Sequence, residues 1–113
     1  MTTLAEQKCV PCQGGVEPLR GEDLNQRARQ LGQGWRVIEG KKIEKTWSFD
    51  DFAETWDFVR QVAELAEEQN HHPDVHFTYG KATITLWTHK IDGLHGNDFI
   101  MAAKIDQIRP VER

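Results

Sequence analysis

The chain has 113 residues, a formal charge of −4 with acids and bases interspersed, and an apolar fraction of 38% that includes four tryptophans. That length suits one compact domain, and that composition folds rather than staying disordered. It argues against a concentrated basic face for a nucleic-acid backbone, and no apolar run approaches the roughly 20 residues of a membrane span.

The first residues, "MTTLAEQKCV", lack the basic start and apolar stretch of a secretory signal, so a cytoplasmic protein is expected. Residues 1–18, marked by Gly and Pro, read as a flexible arm, and residues 19–113 as the folded domain. The arm carries the only two cysteines, Cys9 and Cys12, in "CVPCQGG". A lone C-x-x-C supplies half of a structural zinc site. A redox pair would open a helix, whereas this one runs into Gly14 and Gly15. Reduced thiols and no metal are the expectation.

Downstream, "EDLNQRARQLG" repeats Leu24, Ala28 and Leu31 at helical spacing and ends at Gly32, a fitting cap. "GWRVIEGKKIEKTWSF" reads as two strands around a turn near Gly40-Lys41. The longest helix follows. Ser48 with Asp51, or Asp50 alone, is its candidate cap, and Phe52, Trp56, Val59, Val62 (or Ala63) and Ala66 form its expected core stripe. Pro73 stops it by His72, because the residue before a proline leaves the α region. "VHFTY" and "KATITLWTHK" make a hairpin about Gly80, with Ala82, Ile84 and Leu86 on one face and Thr83, Thr85, Trp87 and His89 on the other. A last helix, capped by Asn97 or Asp98, runs through Phe99 and ends before Pro110.

This order predicts an α+β fold, a four-stranded antiparallel sheet with three helices on one face. The other face, bearing Thr83, Thr85 and Trp87, stays partly bare, so self-association through the sheet's free edge or the last helix is expected.

The chemistry gathers in "EEQNHHPDVHFTYG". His71 and His72 fall at a helix C-terminus, where unpaired carbonyls and the dipole favour a protonated ring. Glu67 precedes His71 by one helical turn and is positioned to orient it. His89 ends the last strand, and Asp98 starts the last helix. Three roles are open to these histidines. Metal ligation by the H-x-x-x-H of His72 and His76 is opposed by Pro73, which breaks the helical geometry. Capping of local carbonyls is the plain structural role. Proton transfer suits imidazole, whose unperturbed pKa lies near neutral. No nucleophile elbow or phosphate-cradling glycine loop accompanies them.

Set in order, "E67-x-x-x-HHP", Tyr79, His89 and Asp98 form a pattern, with "GW" at Gly34-Trp35, Phe49, Asp51-Phe52, "ITLWTH" ending at His89 and Gly93-Leu94 in the same frame. Over about residues 19–108 this resembles the pterin-4a-carbinolamine dehydratase family. The resemblance implies the fold read above, a homodimer or homotetramer, and no metal or redox cofactor. It implies loss of water from a 4a-hydroxytetrahydropterin to give the quinonoid dihydropterin, in tetrahydrobiopterin recycling for aromatic amino acid hydroxylases. By that analogy His71 and His89 donate protons, and His72 holds the pterin or acts as base. Glu67 orients His71, Asp98 steadies His89 or the pocket, and Trp35 and Pro73 line the substrate. Two other roles accompany the family: a dimerisation cofactor of a transcription regulator, and a pterin-binding protein in molybdopterin metabolism.

Overall fold

A computed structural model describes residues 3–9 and 17–108. Cys12 therefore lies outside the described residues, and the expected C-x-x-C is seen only through Cys9. Helix α1 spans Gly21–Arg29, strand β1 Arg36–Ile38, β2 Lys42–Ser48, α2 Phe52–Gln69, β3 Asp74–Phe77, β4 Lys81–Leu86 and α3 Gly96–Asp106. The strands form one antiparallel sheet in the order β1-β2-β4-β3, so this is the α+β fold that the periodicity predicts.

Alternation on β4 decides which side of the sheet is covered. Ala82, Ile84 and Leu86 are fully buried against the helices, while Thr83 and Thr85 face the other way and are only partly covered. The register continues this choice into β2, where Ile43 pairs with Leu86 and Trp47 with Ala82. On the open side Thr46 and Thr83 share a hydrogen bond, and Thr85 donates to Glu44.

Helix α2 begins at Asp51, whose carboxylate accepts from the Glu54 backbone N–H at 2.8 Å, while Glu54 accepts from the Asp50 N–H. It buries Thr55, Phe58, Val59, Val62 and Ala66. Phe52 and Trp56, expected on the core stripe, are instead 48% and 50% exposed. At 100° per residue both sit on the flank of that stripe, where they meet Phe77 at the sheet edge. The helix ends at Asn70 with φ 53° and ψ 41°, a left-handed residue that asparagine tolerates. Pro73 then forbids a further turn.

Helix α3 lies inside the molecule. Phe99, Met101, Ala102 and Ile105 are fully buried, and none of its residues is exposed. It therefore offers little surface for the self-association expected of the last helix; the edges β1 and β3 remain. Part of its cover comes from the expected flexible arm. In the described stretch, Leu4 is buried in the core, the Lys104 ammonium donates to the Ala5 carbonyl at 2.8 Å, and the Cys9 N–H donates to Gln69 Oε1 at 3.0 Å. Residues 3–9 are docked on α3 because Leu4 has a core site to fill.

Candidate active site

Two chain reversals bring the histidines together. At the end of α2 the left-handed Asn70 carries the chain out of helical register, with the His71 N–H bonded to the Ala66 carbonyl. At the end of β4 Thr88 pairs with Gly93 across a bridge, closing a short 3-10 turn at His89–Ile91. The cleft between these reversals has a volume of about 560 Å³, within the range of small-molecule sites. Asn70, His71, His72 and Pro73 form its helical wall, and Trp87, Thr88, His89 and Lys90 form its strand wall.

Beneath the cleft lies Asp98, fully buried in the first turn of α3. Its Oδ2 accepts from the His95 backbone N–H at 2.9 Å and from the Thr88 hydroxyl at 2.8 Å. Its Oδ1 is 2.7 Å from Nε2 of His71. A carboxylate so placed is an acceptor, so His71 Nε2 carries the hydrogen and Nδ1 is left for exchange with a ligand. The helix N-terminus adds a favourable partial positive charge for the buried carboxylate. The capping residue is His95, not Asn97 or Asp98 as expected: its Nδ1 accepts from the Asn97 N–H, and Asp98 answers as the other half of a capping box.

His72 is held differently. Its Nε2 lies 2.7 Å from Glu67 Oε2, an exposed pair with side chains 56% and 79% accessible. Glu67 thus holds His72 rather than His71, a correction to the one-turn expectation. Asn70 ends helical periodicity between them, so neighbours on the ideal helix are not neighbours here. Asp98 likewise steadies His71 rather than His89.

His89 is exposed, and no hydrogen bond to its ring is present among the described residues. Its partner is Trp87, with ring centroids 4.3 Å apart and planes inclined by 49°. On the indole sits Lys42, its Nζ 3.9 Å from the ring centroid.

Trp35, expected as the pocket wall, does not line this cleft. Its Nε1 donates to Asp106 at 2.9 Å, its ring meets Trp47 edge-on at 5.6 Å, and Lys45 bonds the same carboxylate. It ties the first hairpin to the end of α3, because the half-buried Asp106 carboxylate satisfies the indole donor there.

Comparison with known proteins identifies the family. The family profile described as "Pterin 4 alpha carbinolamine dehydratase" matches residues 17–108. The chain belongs to the pterin 4 alpha carbinolamine dehydratase family. A relative in Rubrobacter xylanophilus, named "Putative pterin-4-alpha-carbinolamine dehydratase", is 55% identical over 96% of this chain and all of its own length. One of the same name in Rickettsia canadensis is 42% identical over 94% of this chain and 97% of itself. Among solved structures, a transcriptional coactivator/pterin dehydratase from Brucella melitensis superposes with a TM-score of 0.73 at 32% identity, covering 80% of this chain and 96% of that one. A pterin dehydratase-like protein described as a RuBisCO assembly factor in the alpha-carboxysome superposes with a TM-score of 0.56 at 26% identity, covering 66% and 87%.

Within the cleft the structure gathers His71, His72, His89 and Pro73, with Asp98 and Glu67 behind two of the rings. Sequence reasoning missed Thr88, whose hydroxyl holds Asp98. The signal was a threonine continuing the β4 pattern beyond the core-facing Leu86. It also placed Trp87 on an open face rather than in the cleft.

Cys9 lies behind the same carboxylate, its Sγ 3.7 Å from the Asn97 carbonyl. Burial pushes its thiol up to about 11, with Lys104 opposing and Asp98 reinforcing the shift. Burial thus favours its protonated form at neutral pH.

Proposed function

We propose that the chain is a dehydratase acting on 4a-hydroxytetrahydropterins, in recycling of the tetrahydropterin used by aromatic amino acid hydroxylases. The observation that carries this reading is the convergence of His71, His72 and His89 on one cleft, from a helix end and a distant strand end.

The reaction breaks the C4a–O bond and forms a C4a=N5 double bond. The departing hydroxyl gains a proton and leaves as water, and N5 loses its proton, so one acid and one base suffice. His71 supplies the acid from Nδ1: Asp98 fixes its tautomer and faces the charge the ring carries when protonated. His89, with no hydrogen bond to its ring among the described residues, carries the second proton. His72, oriented by Glu67, holds the pterin edge and serves as an alternative acceptor for the N5 proton. Pro73 adds an apolar wall. Cofactor chemistry has no part in this scheme.

The same reading takes the working form as a homo-oligomer. Among the described residues β3 is an edge strand with no strand paired on its outer side, and Phe52, Trp56, Val75 and Tyr79 present exposed apolar surface along that side of the molecule. Light scattering at micromolar concentration tests it, and a monomer would remove it. The cytoplasm is the proposed location; no described helix is long and apolar enough to cross a membrane.

The decisive experiment follows decay of enzymatically generated 4a-hydroxytetrahydropterin with and without the protein. Acceleration lost in His71→Ala, His72→Ala and His89→Ala supports the assignment, and wild-type activity in all three sinks it. The competing adaptor role predicts a stoichiometric helical partner whose binding survives His72→Ala. Tight pterin binding without dehydration would indicate a pterin-binding role, the molybdopterin reading included.

A further inference from the structure

We propose that Trp87, clamped by Lys42, is the positioning residue for His89. The proposal rests on the dehydratase reading, in which His89 carries a proton.

His89 follows the end of β4 and is exposed, a setting in which an imidazole samples several rotamers. His71 and His72 escape this freedom through carboxylates at 2.7 Å. His89 has no such anchor among the described residues, and its ring meets the Trp87 ring at 4.3 Å. At 4.3 Å between centroids the two rings are in direct contact, tilted by 49° to one another. The ring pair therefore sets where the imidazole lies.

The indole is itself held. β2 and β4 pair as far as Ile43 and Leu86, and one step further the antiparallel register sets Lys42 across from Trp87. The ammonium 3.9 Å from the ring centroid is a cation–π contact that fixes the indole against the sheet. Trp87 Nε1 is buried and has no hydrogen-bond partner among the described residues. That donor is sealed from the cleft, so the indole acts through its ring and not through its N–H. An unpaired buried donor also destabilises the fold. Phenylalanine would remove that cost, so stability alone gives no reason for tryptophan here.

The test measures steady-state dehydration and the ring-proton NMR resonances of His89, assigned with His89→Gln. Stacking on the indole shifts those resonances upfield in the wild-type protein. In Trp87→Leu they move back downfield, and kcat falls about tenfold with KM within about twofold, a fraction of what a general acid–base contributes. Trp87→Phe restores most of kcat, because a flat ring remains. Lys42→Met, which keeps the apolar stem and removes the charge, lowers kcat about threefold, as expected for a partly solvated cation–π contact. Wild-type kcat and unmoved resonances in Trp87→Leu overturn the proposal. So does a rise in KM alone, which would make Trp87 a substrate wall, and so does a Trp87→Phe protein as impaired as Trp87→Leu. If Trp87→Leu does not fold, Trp87→Phe and Lys42→Met decide by the same criteria. A wild-type protein that dehydrates no pterin defeats the dehydratase reading instead. The His89 resonances then decide alone whether Trp87 holds the ring.

Discussion

On the helical wall of the cleft, His71 and His72 each place Nε2 2.7 Å from a carboxylate; on the strand wall, His89 meets an indole at 4.3 Å. A hydrogen bond is directional, so the first wall fixes tautomer as well as ring plane and leaves each imidazole one nitrogen for the substrate. A ring contact fixes the plane alone and leaves both nitrogens open. The walls also differ in depth: the Asp98–His71 pair is almost sealed, with side chains 0% and 11% accessible, whereas His89 is exposed. A firmly held imidazole thus stands across the cleft from a more open one. That division suits a reaction in which one proton goes to a leaving oxygen and another must reach solvent.

The sharpest way to break this comparison is to delete one ring from each wall. His71→Ala should lower kcat by about 10²–10³, the usual contribution of a positioned acid. External imidazole should rescue His89→Ala better than His71→Ala, because the strand wall is open; equal rescue would erase the distinction. Next is Asp98→Ala, which leaves the Thr88 hydroxyl, the His95 N–H and His71 without their acceptor. It should destabilise the fold by about 3 kcal/mol, measured by urea unfolding. Glu67→Gln should change kcat less than about threefold and stability by under about 1 kcal/mol, since its pair with His72 is solvent-exposed. A larger change would show His72 to be as firmly held as His71.

The smallest effect concerns Cys9. Its raised folded-state pKa means that the folded chain keeps a proton the unfolded chain loses between the ordinary thiol value of 9.0 and about 11. Any stability from this group is therefore present below pH 9 and lost as pH rises through 11. Alkylation at Cys9 should be slow at neutral pH and climb over the same interval. Asp98→Asn should shift that climb to lower pH, since the carboxylate reinforces the shift.

Element order was legible because apolar periodicity survives folding: β4 buries Ala82, Ile84 and Leu86 as its alternation indicates, and α2 stops before His72 as expected, at the left-handed Asn70. The histidines and Asp98 were legible from their pattern along the chain, but their partners were not. Glu67 looks like a neighbour of His71 only while the helix continues, and Asn70 in the left-handed region rotates the next residues away. Trp35 and Trp87 have the same side chain with opposite fates. One finds Asp106 at the far end of α3; the other lies under Lys42 beside His89. Neither choice is local.

The amino-acid sequence by itself determined the elements, their antiparallel order and the imidazoles available for chemistry, since periodicity, caps and proline act within a few residues of chain. Tertiary structure alone decided which carboxylate stands behind which ring, which tryptophan enters the cleft and how deeply each group is buried. Those outcomes depend on contacts between residues far apart in sequence, such as Asp98 with His71, and hydrogen-bond geometry is settled only when the packed helices and sheet bring them within reach.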